Sequence, residues 1–142
     1  MKNDLLLFFS KFKAFYNSAF KKACEKYKLS QIEIDIILFL HNNPEYNTAT
    51  DICNMRGLAK SNVSIALKQL EYEKIIYIKK DEKNKKIRRL YLNNEYSSVY
   101  EELADIQKKC FAVIFKDITP EEIVSQKIFL RKCDKNITDY TE

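Results

Sequence analysis

The sequence predicts a mainly α-helical fold with one small β-hairpin. Only one glycine and two prolines occur in 142 residues, which favours long uninterrupted helices over a loop-rich or all-β fold. Apolar residues recur every three or four positions along most of the chain, and two short runs rich in Ile and Tyr interrupt that pattern. The length is that of one domain, and 46% apolar residues suffice for a sizeable core.

The first predicted helix runs from Asp4 to about Tyr27 and has a broad apolar stripe. Its members are Leu5, Phe8, Phe9, Phe12, Phe15, Tyr16, Ala19, Phe20 and Ala23. A stripe this wide is buried either inside the domain or against a second subunit, and both alternatives stay open. The run of five apolar residues near the start is too short for a signal peptide or a membrane span. We therefore expect a cytosolic protein that does not contact membranes.

Three later helices begin with a hydroxyl residue followed three positions on by a carboxylate, which is the pattern of a capping box. The pairs are Ser30 with Glu33, Thr48 with Asp51, and Thr119 with Glu122. The second predicted helix is Gln31–His41, which ends before Asn43 and Pro44 because the residue before a proline disfavours helix. The third is Ala49–Met55, followed by Gly57, which can adopt the positive φ of a turn.

The fourth predicted helix, Lys60–Glu73, has an apolar inner face and a polar, basic outer face. The inner residues are Val63, Ala66, Leu67 and Leu70, and the outer ones are Ser61, Asn62, Ser64, Ile65 and Lys68. A short helix, a turn and this second helix predict a helix-turn-helix. Two strands, Ile75–Lys80 and Lys86–Leu92, then predict a β-hairpin, or wing, with a long polar tip.

The remainder of the chain returns to helical spacing after Asn93, a candidate helix cap. The apolar positions of the next helix are Val99, Leu103, Ile106, Cys110 and Val113, the spacing of a helix–helix seam. A final helix is predicted from Pro120 to about Cys133, and the tail to Glu142 gives little signal.

Positive charge is concentrated in the helix-turn-helix and the hairpin. Residues 56–92 contain eleven Lys and Arg against four Asp and Glu, a net charge of +7. All other residues contain fourteen against sixteen, a net charge of −2. A focused positive field on a helix and a hairpin is typical of a surface that binds nucleic acid.

In the order and spacing of these motifs the chain resembles the MarR family of winged helix-turn-helix transcription regulators. The strongest matches are Leu29-Ser30 with Ile36-Ile37, Ser61-Asn62-Val63-Ser64 with Leu67 and Leu70-Glu71, Asp81, the basic wing, Leu92, and Thr119-Pro120-Glu121-Glu122. The resemblance implies one domain, 1–142, in which residues 1–28 and 94–142 form dimerisation helices around a DNA-binding lobe at 29–93. It implies a homodimeric repressor on a pseudo-palindromic operator of double-stranded DNA, released by a small-molecule effector or by oxidation.

The candidate DNA-binding residues lie on the fourth helix and on the wing. They are Lys60, Ser61, Asn62, Ser64, Ile65, Lys68, Lys83, Lys85, Lys86 and Arg88. A solvated helix face and a solvated hairpin are the alternatives. Lys79, Lys80 and Arg89 are expected to add to the field without specific contacts. An effector cleft would be lined by Tyr16, Phe20, Tyr27 and Phe39, whose spacing is equally typical of core.

Three departures from the family pattern lie within the predicted DNA-binding lobe. Ile65 stands where members often have Arg, and isoleucine packs on a thymine methyl group but cannot bond guanine. Lys74 replaces a glycine after the recognition helix, which predicts an altered or strained turn. Asn84-Lys85-Lys86 replaces Asp-x-Arg in the wing, so Arg88 or Arg89 would have to supply the wing arginine.

Other functions have less support in the sequence. No glycine-rich phosphate loop and no HExxH or GxSxG motif occurs, so we expect no catalytic residues, no metal site and no cofactor. His41, the one histidine, is expected at a helix end. Two alternatives stay open: a regulator of the same fold that senses oxidation through one of its four cysteines, and a winged-helix module that contacts only proteins.

Overall fold

The computed structural model describes residues 2–141 and places them in seven α-helices and a two-stranded antiparallel sheet. In chain order the elements are α1 (Lys2–Ala19), α2 (Lys21–Tyr27), α3 (Gln31–Asn42), α4 (Ala49–Arg56), α5 (Lys60–Tyr72), β1 (Ile76–Lys80), β2 (Arg88–Leu92), a 3-10 turn (Asn94–Tyr96), α6 (Ser97–Ile114) and α7 (Pro120–Thr141). The predicted fold class, a mainly helical winged helix-turn-helix, is confirmed. Within the described range no helix has the length and apolarity needed to cross a membrane.

The first predicted helix is two helices, because the chain bends at Phe20. The Phe20 N–H donates to Asn17 O at 3.2 Å, a tighter turn than the α-helix makes. Ser18 Oγ donates to Phe15 O at 2.7 Å, so a side chain competes with the helix backbone at this point. Asn17 and Ser18 are weak helix formers, and the bend carries the Phe20 side chain fully into the core.

All three capping boxes are present as predicted. The hydroxyl of each first residue accepts the backbone N–H of the third helical residue, whose carboxylate accepts the cap N–H in return. Gly57 ends α4 with φ +62°, in the left-handed region that glycine adopts without steric cost. These local bonds explain why the beginnings of α3, α4 and α7 were predictable from sequence.

The core lies around α3, which contacts α2, α5 and β2. Most of the α3 side chains from Glu33 to Leu40 are buried. The largest fully buried side chains of the described residues are Phe20, Ile34, Ile36, Ile37, Leu38, Ile52, Val63, Leu70, Ile76 and Leu103. Burial of each is worth about 1.5–3 kcal/mol, so this cluster holds the helix-turn-helix rigidly.

The hairpin pairs Ile76 with Leu92 at its base and Lys80 with Arg88 at its outer end. Ile76 and Leu90 are buried on the face that packs on the core, whereas Tyr77 and Tyr91 stack on the other face. Both strands are shorter than predicted, since Ile75, Lys86 and Ile87 lie outside them.

The base of the hairpin is fixed to α6. The Tyr100 hydroxyl lies 3.0 Å from Ile75 O and 2.9 Å from Asn93 O, and burial raises the pKa of Tyr100 to about 12. Asn93 caps the 3-10 turn as predicted for a cap, through its side chain and Glu95 N–H. The hairpin therefore has a rigid base and an extended tip.

Lys74 follows α5 with φ +59°, the left-handed conformation that a glycine would adopt freely. Its N–H donates to Glu71 O at 3.0 Å, and its carbonyl accepts Asn93 Nδ2 at 2.9 Å. The turn thus keeps the geometry of a glycine turn and bears the strain predicted from sequence.

The end of the chain is helical well beyond the predicted boundary at Cys133. Helix α7 continues to Thr141, supported near its end by an ion pair between Lys135 and Asp139 one helical turn apart. None of the described α7 residues is buried. The chain divides into two compact units between Cys110 and Phe111.

Candidate nucleic-acid interface

Helix α5 buries one face and exposes the predicted reading face. Val63, Ala66, Leu67 and Leu70 are all buried. The six predicted DNA-binding residues of this helix are all exposed: Lys60, Ser61, Asn62, Ser64, Ile65 and Lys68. The helical period alone separates these two faces, so both were predictable from sequence.

No capping side chain accepts a hydrogen bond from the first backbone N–H groups of α5. Its N-cap is Ala59, which makes no side-chain hydrogen bond to the first turn, unlike the caps of α3 and α4. The first backbone N–H groups of a helix have no partner within the helix, and they favour negative charge. The Ala59 cap leaves these groups to solvent or to a phosphate. Sequence reasoning did not single out Ala59, whose signal is the absence of a capping residue.

The tip of the wing is a loop ordered by two polar side chains. Asp81 Oδ2 accepts the N–H groups of Lys83 and Asn84 at 3.1 and 2.9 Å, and Asn84 Oδ1 accepts Lys86 N–H at 3.1 Å. Ile87 N–H donates to Asn84 O at 2.9 Å. These bonds hold Lys86 in the loop, where the prediction of a strand residue was wrong. They also turn outwards the exposed side chains of Lys83, Lys85 and Lys86.

Arg89, which is expected to add to the positive field, makes specific hydrogen bonds within the protein. Its Nε donates to Asp81 Oδ1 at 3.0 Å, and its Nη1 donates to Asn47 Oδ1 at 3.1 Å. The hydrogen bond from Asn84 N–H and the Arg89 guanidinium hold the pKa of Asp81 below its usual range. Leu90 N–H adds a backbone bond to Asn47 O at 2.8 Å. We call this set of three side chains, Asn47, Asp81 and Arg89, the wing clasp.

Because Arg89 is engaged in the wing clasp, Arg88 is the exposed arginine of the wing. It pairs across the hairpin with Lys80, so two cations face each other at the outer end of the sheet. Like charges directly opposite on a hairpin destabilise it. A bound anion between them would remove that cost.

A groove of about 440 Å³ separates α5 from the hairpin. Lys60, Ser64 and Lys68 line it from the helix, and Ile78 and Arg88 line it from the hairpin. The interface therefore combines a convex helix face, a basic groove beside it and a basic loop beyond the groove. This arrangement fits a duplex, whose backbone would follow the groove while base edges meet the helix.

Two of the four predicted effector residues line the same small cavity. Tyr16 and Phe39 line a cavity of about 90 Å³ together with Asp35, Arg56 and Gln107. Of the other two, Phe20 is fully buried beside Tyr16, and the Tyr27 hydroxyl donates to the Glu102 carboxylate.

Polar side chains from four helices meet at this small cavity. Gln107 Nε2 donates to Tyr16 Oη at 2.8 Å, and Arg56 Nη2 lies 3.5 Å from Asp35 Oδ1. Burial raises the pKa of Asp35, although the hydrogen bond from Gln31 and the charge of Arg56 act to lower it. Burial also raises the pKa of Tyr16. The cavity thus joins α1, α3 and α6 to the end of α4, the first helix of the helix-turn-helix.

The four cysteines, Cys24, Cys53, Cys110 and Cys133, are all free thiols. Burial raises the pKa of the Cys24 and Cys110 thiols, which lowers the thiolate fraction that oxidants attack. Among residues 2–141 no group of three His, Cys, Asp or Glu side chains could hold a metal ion. His41 lies exposed in the last turn of α3, at a helix end as predicted.

Comparison with solved structures finds proteins of similar fold. No protein-family model matches the chain, and no curated protein matches its sequence. The transcriptional regulator SlyA is similar with a TM-score of 0.78 at 20% identity, over 96% of this chain and 95% of that one. A MarR family transcriptional regulator from Listeria monocytogenes was solved with a 26mer DNA. It has a TM-score of 0.75 at 21% identity, over 98% of this chain and 89% of that one. MepR of S. aureus, also solved with DNA, has a TM-score of 0.76 at 19% identity, over 92% of this chain and 94% of that one. The chain therefore has the fold of the MarR-family regulators.

Proposed function

We propose that this chain is a homodimeric, sequence-specific DNA-binding transcription regulator of the MarR type, which acts in the cytosol as a repressor on a pseudo-palindromic operator. The observation that carries the proposal is the exposed polar face of α5 beside a basic groove and wing. The field over this lobe is strongly positive, since residues 56–92 have a net charge of +7 in a chain that is otherwise slightly negative. Two structural relatives solved with DNA support the same use of the fold.

The polar side chains of α5 and the surrounding cations would have different roles, because their chemistry differs. Ser61, Asn62 and Ser64 carry donors and acceptors on the convex face of α5, where a recognition helix meets base edges. Lys60, Lys68 and the wing cations would hold phosphates on either side. A module that contacts only proteins would have no use for a charge focused in this way.

Dimerisation is supported by two exposed apolar surfaces. Helix α1 exposes a run of aliphatic and aromatic side chains, namely Leu5, Leu6, Leu7, Phe8, Phe9 and Phe15. Helix α7 exposes Val124, Ile128, Phe129, Leu130, Ile137 and Tyr140. Monomeric proteins rarely expose large apolar patches, so we propose that a second copy covers these side chains. Light scattering at micromolar concentration should give about twice 16.9 kDa, and a particle of 16.9 kDa would exclude the dimer.

A small-molecule effector is the second part of the proposal. The cavity beside Tyr16 and Phe39 is far smaller than the ~300 Å³ of an ordinary ligand site. A ligand that enters it would have to push α1 or α6 away from Arg56 at the end of α4. That movement would change how α4 and α5 meet DNA. The alternative of a thiol switch has less support, because burial works against reactivity at Cys24 and Cys110.

The proposal is tested by selecting bound duplexes from a random pool with the full chain. A regulator of this kind enriches one inverted repeat whose half-sites lie about one helical turn, 10–10.5 base pairs, apart. A variant with Lys60→Ala, Lys68→Ala and Arg88→Ala removes three exposed groove cations and should recover no duplex at the same protein concentration. Failure of the unaltered chain to enrich any sequence would contradict the proposed function.

A further inference from the structure

Ile65 is a large apolar side chain on the exposed face of α5. It is 68% exposed and lies four residues after Ser61 and three before Lys68, on the side opposite the buried stripe. Resting on the proposed function, we infer that Ile65 reads the methyl group of thymine in the major groove. The half-site would then require an A·T pair at the step that Ile65 meets.

The chemistry of the major groove leaves one matching group for this side chain. Each base edge there presents hydrogen-bond donors and acceptors, and the C5 methyl of thymine is the apolar exception. Isoleucine can neither donate to guanine O6 and N7 nor accept from cytosine N4. Covering those polar groups with an aliphatic side chain leaves them unpaired, which disfavours G·C at this step.

Asn62 would also favour A·T pairs, through adenine. It lies one turn before Ile65 on α5, and the two side chains line one shallow groove beside Ser30 and Glu33. An asparagine amide matches adenine, since it can donate to N7 and accept from N6 at the same time. Neighbouring side chains on the reading face therefore favour the two bases of A·T pairs.

The cations of α5 are not expected to favour G·C pairs. The helix contains no arginine between Lys60 and Tyr72. Its two lysines, Lys60 and Lys68, line the groove towards the wing together with Arg88, which is the side of the phosphate backbone. Base reading by the first two turns of α5 thus rests on amide, hydroxyl and aliphatic groups.

The test replaces single thymines of the enriched operator by deoxyuridine, which removes only the C5 methyl and keeps base pairing. Binding is measured for the unaltered chain and for Ile65→Ala, which an exposed position should tolerate without loss of folding. One swap in each half-site should weaken binding by the unaltered chain about fourfold for each methyl it buries. The same swap should leave the affinity of Ile65→Ala unchanged.

Tyr72→Ala is the matched control, because Tyr72 is an 81% exposed apolar side chain at the far end of the same helix. This variant should keep the full sensitivity to the swap. If every swap leaves binding by the unaltered chain unchanged while the operator is still preferred, the inference is wrong and the proposed function stands. If a swap affects Ile65→Ala as much as the unaltered chain, another group reads the methyl. If no duplex is preferred at all, both fail.

Discussion

Arg89 Nε lies 3.0 Å from Asp81 Oδ1, and this ion pair ties the second strand of the wing to the start of its own tip. Through Asn47 the same guanidinium also reaches the loop that leads into α4. The wing clasp therefore fixes the angle between the wing and the helix-turn-helix. Both side chains of the pair are less than one third exposed, so solvent screens the pair only in part.

We expect Arg89→Lys to lower the free energy of unfolding by about 1 kcal/mol, because lysine keeps the charge but cannot bond both Asp81 and Asn47. Binding to all duplexes should weaken with an unchanged salt slope. Chemical denaturation and a salt titration measure the two quantities. Arg88→Lys is the control on the neighbouring exposed residue and should leave stability unchanged. Equal stability of Arg89→Lys and the unaltered chain would refute the clasp.

The wing lysines are expected to hold phosphates or to enter a minor groove. Replacing Lys85 and Lys86 together by alanine should weaken binding to operator and random duplex alike. The slope of log K against log salt should fall by about 2 per subunit, since each phosphate contact contributes about 0.9. The matched control replaces Lys108 and Lys109, an exposed pair on α6, and removes the same charge outside the interface. An unchanged slope in the wing variant would exclude the assignment.

Asn62 is expected to read bases. Asn62→Ala should cost about 1–3 kcal/mol of affinity for the enriched operator and almost none for a random duplex, because the lost bonds are specific to a base edge. Competition binding against a scrambled duplex measures the difference. Gln69→Ala, an exposed amide later on the same helix, should change neither affinity. An equal loss on both duplexes would mean that Asn62 contacts only the backbone.

Lys74 offers a test of stored backbone strain. Lys74→Gly should raise the free energy of unfolding by about 0.5–1 kcal/mol, since glycine adopts φ +59° without the steric cost that lysine bears. Lys74→Ala removes the same charge and keeps the strain, so it should bring no gain. Thermal and denaturant unfolding compare the three chains. A glycine variant no more stable than the alanine variant would contradict the strain.

The parts of the fold that were predictable depend on neighbours along the chain. The burial of Val63 and the exposure of Ile65 follow from the helical period, and the cap of Ser30 and Glu33 joins residues three apart. The wing clasp joins Arg89 to Asn47 across 42 positions, and no local pattern indicates such a contact. The bend at Phe20 was missed for a related reason, because burial of that ring depends on packing between distant elements.

The sequence specificity of DNA binding is the central claim, and the ratio of two dissociation constants tests it most directly. The enriched operator and a scrambled duplex of equal length should be measured at physiological salt, where specific regulators bind their sites about 10³-fold or more tightly than other DNA. We expect a ratio of at least that order, which falls when the base-reading residue Asn62 is replaced by alanine. Equal dissociation constants for the two duplexes would contradict it.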